Sequence, residues 1–224
     1  MSNSDYEVVT AERPRADRTY GQYCGLAKAL DLVGERWALL VVRELLLGPK
    51  RFTDLLDGLP GVSTNVLATR LRGLERAGVV ERSVLPPPAA SAVYELTSYG
   101  RALEPAVAAL GRWGAEALGS REPGQALRSH WLALAMKACF HSEAADGVTR
   151  AYEVRLGEGA FSLAVADGAL SVAPGSGAQP DLVLEADDDI LVGVLAGQLE
   201  PAALTVVAGE PGEVARFVEL FRFG

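Results

Sequence analysis

The chain has 224 residues, 49% of them hydrophobic, with a formal net charge of −8, two cysteines and two histidines. That length is enough for two domains with separate cores. Cys24 and Cys139 lie too far apart in number and spacing to suggest a disulfide framework, and no apolar run approaches membrane-spanning length.

The first 19 residues are polar and without period. They read as a frayed arm in which Arg13, Arg15 and Arg18 are the basic side chains. This polar, acidic start does not read as a secretory leader, so a reduced, cytoplasmic protein is expected. Helical period then begins, with Leu26, Leu30 and Val33 in one stripe and Trp37, Leu40, Val41 and Leu45 in a second, stopped by Gly48-Pro49. A short third helix fits Phe52 to Leu59, and Pro60-Gly61 is the turn after it.

Ser63 is a good N-cap for the next helix. Its apolar stripe is Leu67, Leu71 and Leu74, so at about 100° per residue the opposite face carries Asn65, Thr69, Arg72 and Arg76, with Arg70 on the flank. Amides, hydroxyls and guanidinium groups can bond base edges and phosphates. Arg51, Ser63 and Thr64 complete the candidate DNA-contacting set, and Gly78 stands where a C′ glycine would end the helix. Val79 to Leu85 and Ala92 to Thr97 read as two strands, with Pro86-Pro87-Pro88 stiffening the hairpin tip. Helices, turn and hairpin in this order make a winged helix-turn-helix, which offers one helix to the DNA major groove.

A helix over about Tyr99 to Leu118 is expected next, with Leu103, Val107, Leu110 and Trp113 on its apolar side; Ser120 to Gly124 reads as a linker. Another helix over about Gln125 to Ser142 follows. The pattern then turns to period two: Tyr152, Val154 and Leu156; Phe161, Leu163 and Val165; Leu170 and Val172; Leu182 and Leu184. Gly157-Glu158-Gly159 and Asp167-Gly168 are hairpin turns. A short helix over Asp187 to Gly197, a strand over Leu204 to Val207 and a closing helix over Gly212 to Phe223 complete the chain. The fold class is therefore two domains: a mainly α winged helix-turn-helix over residues 20–120, after the 1–19 arm, and an α+β domain with a mostly antiparallel sheet over residues 125–224.

The run Cys24-Gly25-Leu26-Ala27-Lys28-Ala29-Leu30-Asp31-Leu32-Val33-Gly34-Glu35-Arg36-Trp37 and the run Leu45 to Phe52 carry a resemblance to a family. So do Gly61-Val62-Ser63, Leu67, Arg70-Leu71, Leu74-Glu75, Ala77-Gly78-Val79-Val80, Tyr94-Glu95-Leu96-Thr97 and Gly100. They resemble the HxlR-type winged-helix regulators. That resemblance implies a bacterial DNA-binding homodimer in which the first helix and the helix after the wing make the dimer contact. It departs in three places: Asn65 stands where the family often has a basic residue, the wing tip near Ser91 lacks an arginine, and Gly25 rather than proline follows Cys24.

In the second half, Tyr152-Glu153-Val154, Leu182 to Asp187, Leu191, Leu195-Ala196-Gly197, Ala208-Gly209-Glu210-Pro211 and Leu220-Phe221 resemble the sterol-carrier-protein-like fold. It implies a hydrophobic pocket for an apolar small-molecule effector. Trp131, Phe140, Phe161, Leu163, Leu170, Leu195, Phe217 and Phe221 are the candidate lining, with a dry core or a purely dimer-supporting domain as the competing reading.

The charge distribution fits a DNA binder better than the total does. Residues 1–120 hold 14 basic and 14 acidic side chains, and residues 121–224 hold 7 and 15. Between Arg36 and Arg82 there are 8 basic and 5 acidic residues, a local excess of 3. Local charge sets the field that a duplex feels.

Catalytic and metal signatures are missing from the sequence. His130 and His141 have no second ligand at metal spacing. Asp187-Asp188-Asp189 reads as an N-cap and first-turn acids. No phosphate loop or nucleophile elbow is present, so a non-enzyme without cofactor is expected. Cys24, at a helix start, is the reactive-thiol candidate; relatives in the family sense oxidants or electrophiles near this position, and a small buried core residue is the competing reading. Cys139 is expected to be inert. The leading expectation is a dimeric DNA-binding regulator with an effector-sensing or dimer-supporting second domain. The alternatives are a redox or electrophile sensor switched by Cys24, and a lipid-binding or carrier protein whose winged helix is an interaction module.

Overall fold

A computed structural model of the chain describes residues 19–86, 88, 90–119, 121–157 and 159–223. The arginines of the predicted arm, Pro87 of the wing tip, Ser120 of the linker and Glu158 of a hairpin turn lie outside the described residues. The protein is an N-terminal mainly helical domain followed by a mixed α+β domain, each with its own hydrophobic cluster.

The first part runs α1 (Gly25–Val33), α2 (Ala38–Leu45), α3 (Phe52–Gly58) and α4 (Thr64–Arg76), then the antiparallel wing strands β1 (Val80–Val84) and β2 (Ala92–Leu96). Val41, Val42 and Leu45 of α2 pack with Leu55 and Leu59 and with Leu67, Leu71 and Leu74 of α4. Lys50 adds a one-residue third edge to the wing: its N–H donates to the Tyr94 carbonyl at 3.0 Å and its carbonyl accepts from the Tyr94 N–H at 2.8 Å. The end of α4 is a Schellman-type stop. Gly78, at φ 68°, donates to the Glu75 carbonyl at 3.0 Å, and the Val79 N–H donates to the Leu74 carbonyl at 2.9 Å. Gly78 thereby sets the angle at which β1 leaves the helix.

The single helix expected over Tyr99 to Leu118 is two: α5 (Ser98–Arg101) and α6 (Glu104–Ala115). The reason is Pro105 in the first turn of α6. It has no N–H for an intrahelical bond, and its ring would meet the carbonyl of residue 101 in a continuous helix. Gly100 of α5 lies against the wing so closely that a Cβ there would stand 2.0 Å from the Val79 carbonyl oxygen.

The second part begins with α7 (Ser129–Ala138), shorter at both ends than the helix expected over Gln125 to Ser142. Arg128 is extended, and the Ser129 hydroxyl donates to the Leu156 carbonyl at 3.4 Å and to Asp188 Oδ1 at 3.1 Å, which fixes the helix start. Strands β3 (Arg150–Leu156), β4 (Gly159–Ala166), β5 (Ala169–Pro174), β6 (Leu182–Ala186) and β7 (Thr205–Gly209) form one sheet in the order β5-β4-β3-β6-β7. All neighbours are antiparallel except β3 and β6, which run parallel. Between β6 and β7 come α8 (Asp188–Leu195) and a 3₁₀ turn over Pro201–Ala203; α9 (Glu213–Phe221) closes the fold.

The alternating Tyr152, Val154, Leu156, Phe161, Leu163 and Val165 side chains face the same cluster as Met136, Leu191, Leu195, Phe217 and Phe221. Phe161, Leu163, Leu195, Phe217 and Phe221 are therefore buried core residues, with Phe140 and Leu170 packed against them and the Phe217 and Phe221 rings 5.1 Å apart. These seven belong to one hydrophobic cluster, and Phe161 also lines a cleft at its edge. Trp131, the eighth residue expected there, is half-buried and its indole N–H bonds Glu44 of α2.

Candidate nucleic-acid interface

The α4 helix presents its two faces as the period requires. Leu67, Leu71 and Leu74 are buried, and Ser63, Thr64, Asn65, Thr69, Arg72 and Arg76 are exposed. Ser63 caps the helix, its Oγ accepting from the Val66 N–H at 3.4 Å. A short polar ladder runs along the exposed face: the Thr69 hydroxyl donates to the Asn65 carbonyl at 2.8 Å, Arg72 Nη2 donates to Thr69 Oγ1 at 3.3 Å, and Arg76 Nε donates to the Arg72 carbonyl at 3.4 Å. The ladder orients two guanidinium groups and leaves the Asn65 amide at the N-terminal end. This chemistry suits base edges near the helix start and phosphates further along it.

Arg70 stands apart from this row. Its Nε donates to the Arg36 carbonyl at 2.8 Å and its Nη2 to Glu35 Oε2 at 2.9 Å, so it ties α4 to the turn before α2. Its fork is occupied inside the protein. In that same turn Trp37 caps α2 in the left-handed region, at φ 78°, with the Arg36 guanidinium 5.5 Å from its ring centroid. Arg51 caps α3, is exposed, and its N–H donates to Asp54 Oδ2 at 3.0 Å. On the wing, Arg82 lies 5.9 Å from the Tyr94 ring centroid.

Two further features lie away from this surface. Cys24 is exposed in the single chain at the N-cap of α1, so it is not the small buried core residue of the competing reading. The backbone N–H groups of Ala27 and Leu26 at the helix start hold its thiol below the ordinary value. Cys139 is half-buried, and burial pushes its thiol up despite the Arg112 charge nearby.

The second feature was invisible in the sequence. Glu44 of α2 is fully buried between the two domains. Its Oε2 accepts from Lys50 Nζ at 2.6 Å and lies 2.9 Å from His130 Nε2; its Oε1 accepts from Arg43 Nη2 at 2.9 Å and from Trp131 Nε1 at 2.7 Å. The Arg43 guanidinium also stacks 4.2 Å over the Trp131 ring. Burial by itself would raise this carboxyl, but the His130 and Lys50 hydrogen bonds and charges override it and lower it to about 2. Beside this clasp, Lys137 pairs with Glu104, and Arg112 bonds the Ala138 carbonyl.

No group of three or more potential metal ligands occurs among the described residues, and none of the described helices is long and apolar enough to cross a membrane.

Residues 32–122 match the model of the HxlR-like helix-turn-helix family. The HTH-type transcriptional regulator sll1512 of Synechocystis is 40% identical over 96 residues, 43% of this chain and 71% of that protein. YodB, an HTH-type transcriptional regulator of Bacillus subtilis, is 38% identical over 88 residues, 39% of this chain and 79% of its own. The oxidized form of the redox regulator HypR is similar at 31% identity with a TM-score of 0.39, covering 44% of this chain and 99% of that one. YodB has also been solved bound to quinone, a structure with TM-score 0.36 that covers 41% of this chain and 96% of that one. The curated relatives are described as regulators of transcription and not as enzymes. On these grounds the chain belongs to the HxlR-type helix-turn-helix family of DNA-binding transcriptional regulators.

Proposed function

We propose that the chain acts as a homodimer that binds an operator in double-stranded DNA through α4 and the wing. The observation that carries this reading is the exposed row Asn65, Thr69, Arg72 and Arg76 opposite the buried leucines of the same helix. The dimer is supported by apolar side chains left in solvent on the two helices expected to meet. Leu26 is 69% and Leu30 41% exposed on α1; Leu110 is 50% and Trp113 74% exposed on α6. Removing these from water gives the single chain a reason to pair.

The test is a fluorescence anisotropy titration of the protein against the DNA upstream of its own coding sequence, at two salt concentrations. Phosphate-dominated binding weakens steeply with salt. Arg72→Ala and Asn65→Ala should each weaken operator binding by about 1–3 kcal/mol. Normal operator binding by both variants would remove α4 as the reading helix.

A second reading places a switch at Cys24. Its exposure and its lowered thiol favour this, and YodB, which shares 38% identity over the matched residues, is known in a quinone-bound form. A quinone or diamide challenge that releases the wild type from DNA, but not Cys24→Ser, supports this reading; an equal response removes it. For the α+β domain we propose an effector-sensing or dimer-supporting role, as its resemblance to the sterol-carrier-protein-like fold suggests.

A further inference from the structure

Open space occurs at the junction between the domains. A cleft of about 300 Å³ lies there. Leu47, just after α2, forms one side; Arg128 and His130 at the start of α7 form another; Phe161 of β4 and Val172 and Pro174 of β5 form the floor. We propose that this cleft is a binding site for a small organic anion, a carboxylate carried on an apolar body the size of one aromatic ring or a short aliphatic chain.

Three observations converge on that chemistry. The volume is at the small end for ligand sites, and domain junctions are where such sites concentrate. It suits a single ring and excludes a sterol or a long acyl chain. The lining is mainly apolar, so the body of the ligand is recognised by burial.

The third observation is the cation at its rim. Arg121, Lys137, Arg150, Arg155 and Arg216 are each paired with a carboxylate. Arg128 and Arg222 have no ion-pair or hydrogen-bond partner for their guanidinium groups among the described residues, and of the two Arg128 borders the cleft. In a half of the chain with 15 acids and 7 bases, an unpaired guanidinium beside an apolar cleft is notable. Its planar fork matches a carboxylate through two parallel N–H donors.

Occupancy has a route to the DNA-reading domain. His130 lines the cleft, and its Nε2 holds Glu44 of α2, while Leu47 touches the ligand from the winged-helix side. A ligand in the cleft therefore contacts both domains, and its affinity depends on how they are seated. That differential is what lets a ligand shift an equilibrium between arrangements. Binding of the anion stands by itself; only its consequence for operator affinity rests on the regulator reading above.

The experiment is isothermal titration of the full chain with benzoate, salicylate and hexanoate at millimolar concentration, with benzyl alcohol as the neutral control and inorganic phosphate as the charge-only control. Saturable binding of at least one carboxylate, with neither control binding, is expected. Arg128→Gln should weaken it about tenfold or more, and Pro174→Trp, which enters the cleft from an exposed position on the same face of β5 as Val172, should abolish it. Thermal melts of both variants establish that they fold. No binding by any of the three carboxylates overturns the proposal, as does binding that survives both substitutions. An operator titration of the same preparation, with and without the bound carboxylate, reads the coupling separately. A shift of about fivefold or more that is lost in Arg128→Gln supports an effector role, whereas failure to bind DNA at all would overturn the regulator reading and leave the anion site standing.

Discussion

Glu44 Oε2 and His130 Nε2 meet at 2.9 Å across 86 positions of sequence, and this contact joins the winged helix to the α+β domain. The carboxylate is fully buried and every donor around it is charged or polar, so removing it strands four of them. Glu44→Ala should cost about 3–5 kcal/mol, the range for breaking a buried ion pair, measured by urea unfolding. A loss under about 1 kcal/mol would mean that the cluster behaves as a surface pair.

The pH dependence follows from the same group. Its carboxyl is lowered from 4.5 to about 2. A depressed acid contributes stability that is fully present above its unfolded value and lost as pH falls through the folded one. The contribution, about 3 kcal/mol by the linkage relation, should fade between roughly pH 4.5 and 2. Other acids titrate in that window too, so the measure is the difference between wild type and Glu44→Gln. The two stability curves should converge toward pH 2; parallel curves would dismiss the assignment.

Arg70 and Arg72 are two positions apart on α4 and should behave differently. Arg70 spends its fork on Arg36 and Glu35, whereas Arg72 is exposed. Arg72→Ala should flatten the salt dependence of operator binding by about one unit of slope if it contacts a phosphate. Arg70→Ala should weaken binding with the slope unchanged and lower the melting temperature, because it loosens the seat of the helix. Arg70→Lys should not rescue it, since a point-charge ammonium cannot reproduce the two bonds. A changed slope in Arg70→Ala would make it a phosphate contact after all.

The exposed polar face of α4 was legible because α4 is a single amphipathic helix whose period assigns faces without knowledge of any partner. The role of Arg70 was not, since its acceptors lie 34 and 35 residues away. Glu44 was hidden for a related reason: between Arg43 and Leu45 it reads as a solvated flank, and two of its four partners, His130 and Trp131, come from another domain. The break between α5 and α6 could have been read from Pro105. The eight aromatic and aliphatic residues assigned to a pocket carried no signal distinguishing a lining from a filling, since both require the same alternation.

Cys24 and Cys139 provide an internal comparison. Backbone N–H groups lower the first thiol and burial raises the second. Alkylation by iodoacetamide followed by mass spectrometry should label Cys24 first. The pH midpoint of its reaction, measured in Cys139→Ser, should fall below that of an ordinary thiol. Equal rates at the two sites would remove the case for a privileged thiol.

Tyr152 offers a test of the core. Its side chain is packed against Phe217 and Phe221, with ring centroids 5.4 and 6.0 Å away, and its buried hydroxyl has no hydrogen-bond partner among the described residues. Burial pushes that hydroxyl up to about 12. Tyr152→Phe should leave stability unchanged or raise it by about 1 kcal/mol, read as the urea midpoint. A marked loss would reveal a partner for the oxygen.

Lys50 is bonded twice over: its backbone is stitched to Tyr94 on the wing, and its ammonium is bound to the buried Glu44. The wing and the buried carboxylate that meets the second domain thus share Lys50 as a common partner. A tilt of α7 that drags Glu44 would be felt at the wing through one side chain, without first repacking the leucine core beneath α4. Geometrically, the protein has a short lever where its two cores alone would have suggested a long one.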